Sequence, residues 1–248
     1  MLRAPSIKAL ALRAQTELLV DKDLSAFDRY WGEPYIQHNP LLPDGLDAVR
    51  AFMTRAVPLA RVEIFRTLAE GDMVAFHQRV TLPDAVLAVF DIYRVEHGRF
   101  VEHWDAMEAV DDASASPFAG PTDAGAGDGD ATRRRVAGFV EQVLLAGDVA
   151  RAADHVADDL QRHGIALAPG RAGLVDELAA SQAAGNAYVG CSRLLVEGDR
   201  ALTVCSARID GLPWTLCDLW RIAGDRIVEQ WRVAQAVPDP ATARLPSF

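Results

Sequence analysis

The stretch FVEHWDAM, residues 100–107, holds the side chains best able to do chemistry. Read as a strand, it sends alternate residues to opposite faces. Val101, His103, Asp105 and Met107 then share one face, and Phe100, Glu102 and Trp104 the other. An imidazole and a carboxylate two residues apart stand roughly 7 Å from one another along such a strand. Polar groups on an otherwise apolar face are costly unless they are paired or used. A carboxylate that loses its hydration there gains pKa and becomes a base or an acid near neutral pH, which makes Asp105 the first candidate for a catalytic residue. His103 is placed to orient a substrate, to donate a proton to a developing enolate, or to hydrogen-bond a neighbour. His38, in the motif QHNP (residues 37–40), sits at the mouth of an early strand and is expected to converge on the same pocket as a third catalytic group. His163 holds the matching spot later in the chain, so a shared structural role is the competing reading of His38. His77 shares a strand face with Arg79 and is read as a substrate contact, as are Asn39, Tyr35, Trp31 and Met107. His38, His103 and Asp105 would suit iron or zinc as a ligand set, but HxD on a strand is a weak metal signature and no metal is expected. No glycine-rich phosphate loop, G-x-S-x-G elbow or HExxH segment is present.

The elements that must position these residues begin with a hairpin. Phe90–Val95 and Phe100–Ala106 alternate in the manner of strands, and Glu96-His97-Gly98-Arg99 between them reads as a tight turn with Gly98 at positive φ. The hairpin returns in altered form as CDLWRIAGDRIVEQWRVAQAV, residues 217–237. Asp91 falls on Asp218, Arg94 on Arg221, Glu102 on Glu229 and Trp104 on Trp231. With two residues removed, His38 falls on His163, Gly45 on Gly170 and Asp23 on Asp148. A period this long marks two tandem copies of one domain. The shared Arg–Glu and Trp positions read as fold maintenance, a cross-strand charge network and an apolar anchor on the outer sheet face. The catalytic candidates are not shared: His103 becomes Gln230, Asp105 becomes Arg232 and His77 becomes Val204. Arginine cannot serve as a base, so the second pocket is expected to be a degenerate scaffold, unless Arg232 binds an anion.

Each copy starts with helical spacing and continues as strands. Ser6–Val20, Leu24–Tyr35 and Gly45–Val57 read as helices, Ser6 as an N-cap, and Pro40 and Pro43 as stops. Strands follow at Val62–Ala69 and Met73–Leu82, then the hairpin. Helices first and an antiparallel meander afterwards make an α+β domain with its helices on one sheet face. Residues 1–112 are the first domain and 132–240 the second; 113–131, rich in Ser, Ala, Gly, Pro and Asp, read as a flexible linker, and the tail after Pro238 as loose.

Composition narrows the partners. The 248 residues carry a net charge of −10 and are half hydrophobic. That balance argues against nucleic acid and anionic membranes, which need clustered Lys and Arg. Three cysteines without CxxC spacing read as reduced thiols. With neither a signal peptide nor an 18-residue apolar run in the sequence, a cytoplasmic location is expected.

QHNP before a glycine-started helix, Gly71-Asp72 before a strand, and DIYRVEHGRFVEHWD together resemble the SnoaL-like polyketide cyclase group. That group lies within the nuclear-transport-factor-2-like superfamily, beside limonene epoxide hydrolases and ketosteroid isomerases. The resemblance covers nearly all of residues 1–110 and, more weakly, 133–237. It implies a cone-shaped fold, with three helices and a curved sheet around a deep apolar pocket, and acid/base chemistry without a cofactor. It also implies that the last-strand carboxylate, here Asp105, is the acid/base. Relatives pair through the outer sheet face, so the two domains are expected to form a pseudo-dimer within one chain; further oligomers are left open. The expected function is that of an aldol-type cyclase, isomerase or lyase acting on a hydrophobic, carbonyl-bearing small molecule. An epoxide-opening enzyme of the same fold, or a non-catalytic binding module, are the other readings.

Overall fold

Ser6 accepts a hydrogen bond from the Ala9 amide (3.2 Å) and so starts the first helix, α1 (Ile7–Gln15). In the computed structural model, which describes residues 6–39, 42, 44–111 and 116–238, α1 does not run on unbroken to Val20. It passes into a wider π-type turn, Thr16–Val20, that re-aims Leu18 and Leu19 into the core. The second expected helix is cut short as well: α2 spans only Ala26–Tyr30, and Trp31–Gln37 is strand β1. Aromatic residues and a proline favour extended backbone there. Gly45, at φ 90°, precedes α3 (Leu46–Ala56). Four strands follow: β2 (Arg61–Glu70), β3 (Met73–Leu82), β4 (Ala85–Glu96) and β5 (Arg99–Val110). Pro40 and Pro43 lie outside the described residues.

The five strands form one sheet in the order β1-β5-β4-β3-β2, with β1 parallel to β5 and every other pair antiparallel. His97 and Gly98 both take positive φ in the β4–β5 turn, as a two-residue hairpin requires. Strict alternation fails just beyond that turn. Val95 pairs with Phe100 but Arg94 pairs with Glu102, so a β-bulge absorbs Val101. Phe100 therefore packs inward against Tyr93 (ring centroids 4.4 Å), the reverse of the facing expected from period two. The helices cover the inner sheet face over a core that includes Phe27, Trp31, Phe76, Tyr93 and Phe100.

The second unit, Ala113–Val237, repeats this plan. Its elements are α4 (Gly129–Phe139), a π-type turn (Val140–Leu145), α5 (Ala152–His155), β6 (Val156–His163), α6 (Gly170–Ala183), β7 (Ala187–Glu197), β8 (Arg200–Ile209), β9 (Leu212–Ala223) and β10 (Arg226–Ala236). The sheet order β6-β10-β9-β8-β7 matches the first, and the hairpin bulge recurs between Ile227 and Glu229. Two tandem α+β domains are therefore present.

The flexible-linker expectation for 113–131 is corrected over residues 116–131, which pack on the second sheet. Phe118 is buried, Trp231 donates its indole N–H to the Ala119 carbonyl (2.8 Å), and Arg200 donates to the carbonyls of Pro121, Thr122 and Asp123. A Cβ on Gly127 would stand 2.6 Å from the Asp199 amide nitrogen, so the glycines serve close approach as well as flexibility. The tail beyond Pro238 lies outside the described residues. Among the described residues no helix is long and apolar enough to cross a membrane.

Candidate active site

The helices and inner sheet face of the first unit enclose a cavity of about 300 Å³. Its apolar wall includes Leu18, Phe27, Trp31, Val49, Phe52 and Met53, and its floor presents Asp91, His103 and Asp105 from the paired strands β4 and β5. The bulge sets the register there: Asp91 lies opposite Asp105, and Tyr93 opposite His103. Asp91, His103 and Asp105 each bring one ligand-type atom within 4.8 Å of the others, a set that could also hold a divalent cation.

The hydrogen bonds around His103 constrain its protons. Gln37 Oε1 accepts from the Asn39 amide (2.9 Å) and lies 3.0 Å from His103 Nδ1, so Nδ1 must carry a hydrogen and donate it. His103 Nε2 lies 3.1 Å from Asp91 Oδ1. That contact also needs a proton, so the pair holds one more than a neutral imidazole and a carboxylate would. Gln78 donates to the other oxygen of Asp91, and the Tyr93 ring stacks on the imidazole at 4.4 Å. Burial alone would pull the His103 pKa down. The hydrogen bond to Asp91 and the charges of Asp105 and Asp91 outweigh it and raise the value above 6.5.

Asp105 is 7 % exposed. Its Oδ2 accepts from Asn39 Nδ2 (2.6 Å), whereas Oδ1 is buried without a hydrogen-bond partner among the described residues. Burial pushes its pKa up to about 6; the His103 charge and the Asn39 hydrogen bond oppose the rise, and Asp91 adds to it. Burial likewise pushes the Tyr35 phenol far up, so it remains a neutral hydroxyl. The site thus joins a proton-sharing imidazole to a carboxylate poised near neutrality, beside an apolar cavity.

Of the residues singled out in the sequence, Asp105, His103, Asn39, Tyr35, Trp31 and Met107 all line this cavity. Two do not and are corrected. His38 lies on the outer face, its Nε2 2.8 Å from Glu102 Oε1 and its ring stacked on Trp104 at 4.7 Å. His163 repeats the arrangement with Glu229 (2.9 Å) and Trp231, so the two histidines share one structural setting outside the cavity. In both copies Arg94 or Arg221 completes the cluster by donating to that glutamate. Burial alone would raise Glu102, but the hydrogen bonds from Arg94 and His38 hold its carboxyl below the usual value. His77 also faces outward, stacked on Phe90 and 3.1 Å from an Arg66 nitrogen. Alternation explains both: Phe76 and Asp91 point inward, so His77 and Phe90 cannot.

Asp91 is the residue that sequence reasoning missed. Its match to Asp218 in the second copy marks the repeat, and the sequence gives it no role of its own. The available signal was its place two residues from Tyr93, on a strand paired with the one bearing His103.

The equivalent floor of the second unit is filled by salt bridges. Arg232 donates to Asp218 Oδ1 (2.7 Å), Glu177 Oε1 (2.6 Å) and the Tyr188 hydroxyl (2.9 Å), and Arg162 to Gln230 (2.7 Å) and Glu177 (2.5 Å). The donors of Arg232 are thus committed to acceptors of its own domain. The adjacent cavity measures about 140 Å³.

The first unit has the sequence of a SnoaL-like domain. Residues 12–103 match the family model of the SnoaL-like domain, and the amino-terminal domain belongs to that family. Among solved structures the chain is similar to TsrD from Streptomyces laurentii (19 % identity, 44 % of this chain and 92 % of that one, TM-score 0.37). It is also similar to IdmH from Streptomyces antibioticus, a candidate polyketide cyclase (22 %, 42 % and 91 %, 0.36), and to a steroid delta-isomerase from Pseudomonas aeruginosa (19 %, 44 % and 84 %, 0.37). No curated protein matches the chain in sequence.

Proposed function

We propose that the first domain is an acid/base enzyme that works without metal or organic cofactor on a small, hydrophobic, carbonyl-bearing molecule, as a cyclase, isomerase or lyase. The observation that carries this reading is the unpartnered Asp105 oxygen on the cavity wall, in a carboxyl group whose pKa is raised to about 6. Above that pH Asp105 is a base that takes a proton from the carbon next to the substrate carbonyl. Electron density then moves onto the carbonyl oxygen. The protonated His103, its two N–H groups held by Gln37 and Asp91, stabilises the charge developing on that oxygen through its own positive charge. Returning the proton from Asp105 to another carbon isomerises the substrate; attack of the enolate on a second carbonyl closes a ring. The second domain, whose floor is neutralised by its own salt bridges, acts as a scaffold.

The test is deuterium incorporation at the α-carbon of 2-tetralone, followed by NMR. The rate is expected to rise with pH through about 6, as Asp105 ionises. It should fall again above the ordinary imidazole range, as His103 loses its proton, because that pKa is raised. Asp91→Asn removes the charge that raises it and should move the descending limb to lower pH. A flat profile, or a wild-type rate no faster than that of folded Asp105→Asn, would sink the reading. His38→Gln serves as the outer-face control: exchange should be unchanged, while urea unfolding shows a loss of about 1 to 2 kcal/mol from the Glu102 hydrogen bond.

A further inference from the structure

The helical wall of the first cavity carries a polar group that proton transfer does not use. Gln15, the last residue of α1, is 0 % exposed, and neither its Nε2 nor its Oε1 has a hydrogen-bond partner among the described residues. Burial raises the Tyr93 phenol well above its usual range and a side-chain contact with Gln15 pulls it the other way, but neither amide atom of Gln15 meets hydrogen-bond geometry. Buried side-chain amides are nearly always paired, and leaving both ends of one unpaired is destabilising. Gln15 lines the cavity together with Leu18 and Leu19 of the π-type turn, an irregularity that is frequent at functional sites.

The second domain provides an internal control. The offset that sets His38 on His163 also sets Lys22 on Gly147, both at positive φ, and Gln15 on Val140. Val140 packs in the apolar core of its domain. The helix and its π-type turn therefore form without an amide at that position. Amide and acid/base floor occur together in one domain and are absent together from the other.

We infer that Gln15 is the second polar anchor of the cavity, receiving a neutral ligand group that carries a donor and an acceptor side by side, as a lactam, carboxamide or hydroxy-ketone does. A planar amide offers N–H and C=O together, and only such an edge satisfies both at once. The group is neutral because the charged residues lining the cavity, Asp91, His103 and Asp105, all belong to the floor. A cavity of about 300 Å³ is close to the lower bound of small-molecule sites and accommodates one or two rings. The inference rests on the acid/base reading only in assigning the ligand's reacting end to Asp105.

The experiment titrates the full chain with isoquinolone, a bicyclic lactam, and with isocoumarin, its isostere without the N–H donor, following tryptophan fluorescence. The wild type is expected to bind the lactam roughly 5- to 150-fold more tightly. Gln15→Leu should bind the two alike, keep the isocoumarin affinity, and melt at a higher temperature because an unpaired buried amide is gone. Asp105→Asn should keep the discrimination while losing proton exchange, so failure of the anchor and failure of the catalytic reading are separable. Equal wild-type affinities, no lactam binding, discrimination that survives in Gln15→Leu, or a lower melting temperature in that variant would each overturn the proposal.

Discussion

Asp105→Asn is expected to slow α-proton exchange of 2-tetralone by about 10²- to 10⁴-fold, the usual contribution of a positioned general base, and at the same time to stabilise the protein at pH 8. The two effects share a cause. The carboxyl group is buried, and its pKa stands at about 6 against an ordinary 3.8. The folded form binds this proton more tightly than the unfolded form does, so folding free energy is lost as pH rises between those values and stays lost above them. A shift of this size corresponds to about 3 kcal/mol. An amide at 105 can still accept from Asn39 and carries no charge to bury. Urea unfolding should therefore show Asp105→Asn more stable by up to about 3 kcal/mol at pH 8, with the difference shrinking to nothing near pH 4. A variant less stable than wild type at pH 8 would mean that the carboxylate is better solvated or paired than its surroundings allow.

The second large effect is expected in the other domain, where charge is buried for structure. Arg232→Met leaves Asp218, which is 0 % exposed, without its guanidinium partner. Removing one partner of a buried ion pair typically costs about 3 to 5 kcal/mol, because the remaining charge is uncompensated. The midpoint of urea unfolding, followed by tryptophan fluorescence, should fall accordingly. Arg232→Met combined with Asp218→Leu should recover most of the loss, since an apolar replacement of the whole pair is often neutral or better. Failure of the double variant to recover would assign the cost to lost packing instead. Neither variant should alter proton exchange if the second domain is a scaffold.

Much of the fold was legible because its signals are local. The Met73–Leu82 strand, the α3 helix and the Glu96–Arg99 turn follow from alternation, helical spacing and a glycine at positive φ, all set by near neighbours. The repeat was legible because Asp91/Asp218, Arg94/Arg221, Glu102/Glu229 and Trp104/Trp231 survive in register. The errors arose where distant partners decide. Trp31–Gln37 became a strand because β5 offers it parallel pairing, and residues 116–131 are ordered because Arg200 and Trp231, far along the chain, bind their carbonyls. His38 was misplaced because its motif carries no information about which sheet face it meets.

The sequence by itself determined that two α+β copies exist and that only the first keeps an imidazole and a carboxylate two residues apart on its last strand. What those groups face is set only by the folded chain. A two-residue turn pairs Glu96 with Arg99, and simple counting from it would set Asp91 opposite Trp104; one bulged residue shifts the register so that Asp91 faces Asp105 and Tyr93 faces His103. A bulge reflects how two strands fit a shared curved sheet, a property of neither strand alone. Burial, which raises the Asp105 pKa and leaves Gln15 unpaired, likewise exists only once helices α1 to α3 close over the sheet.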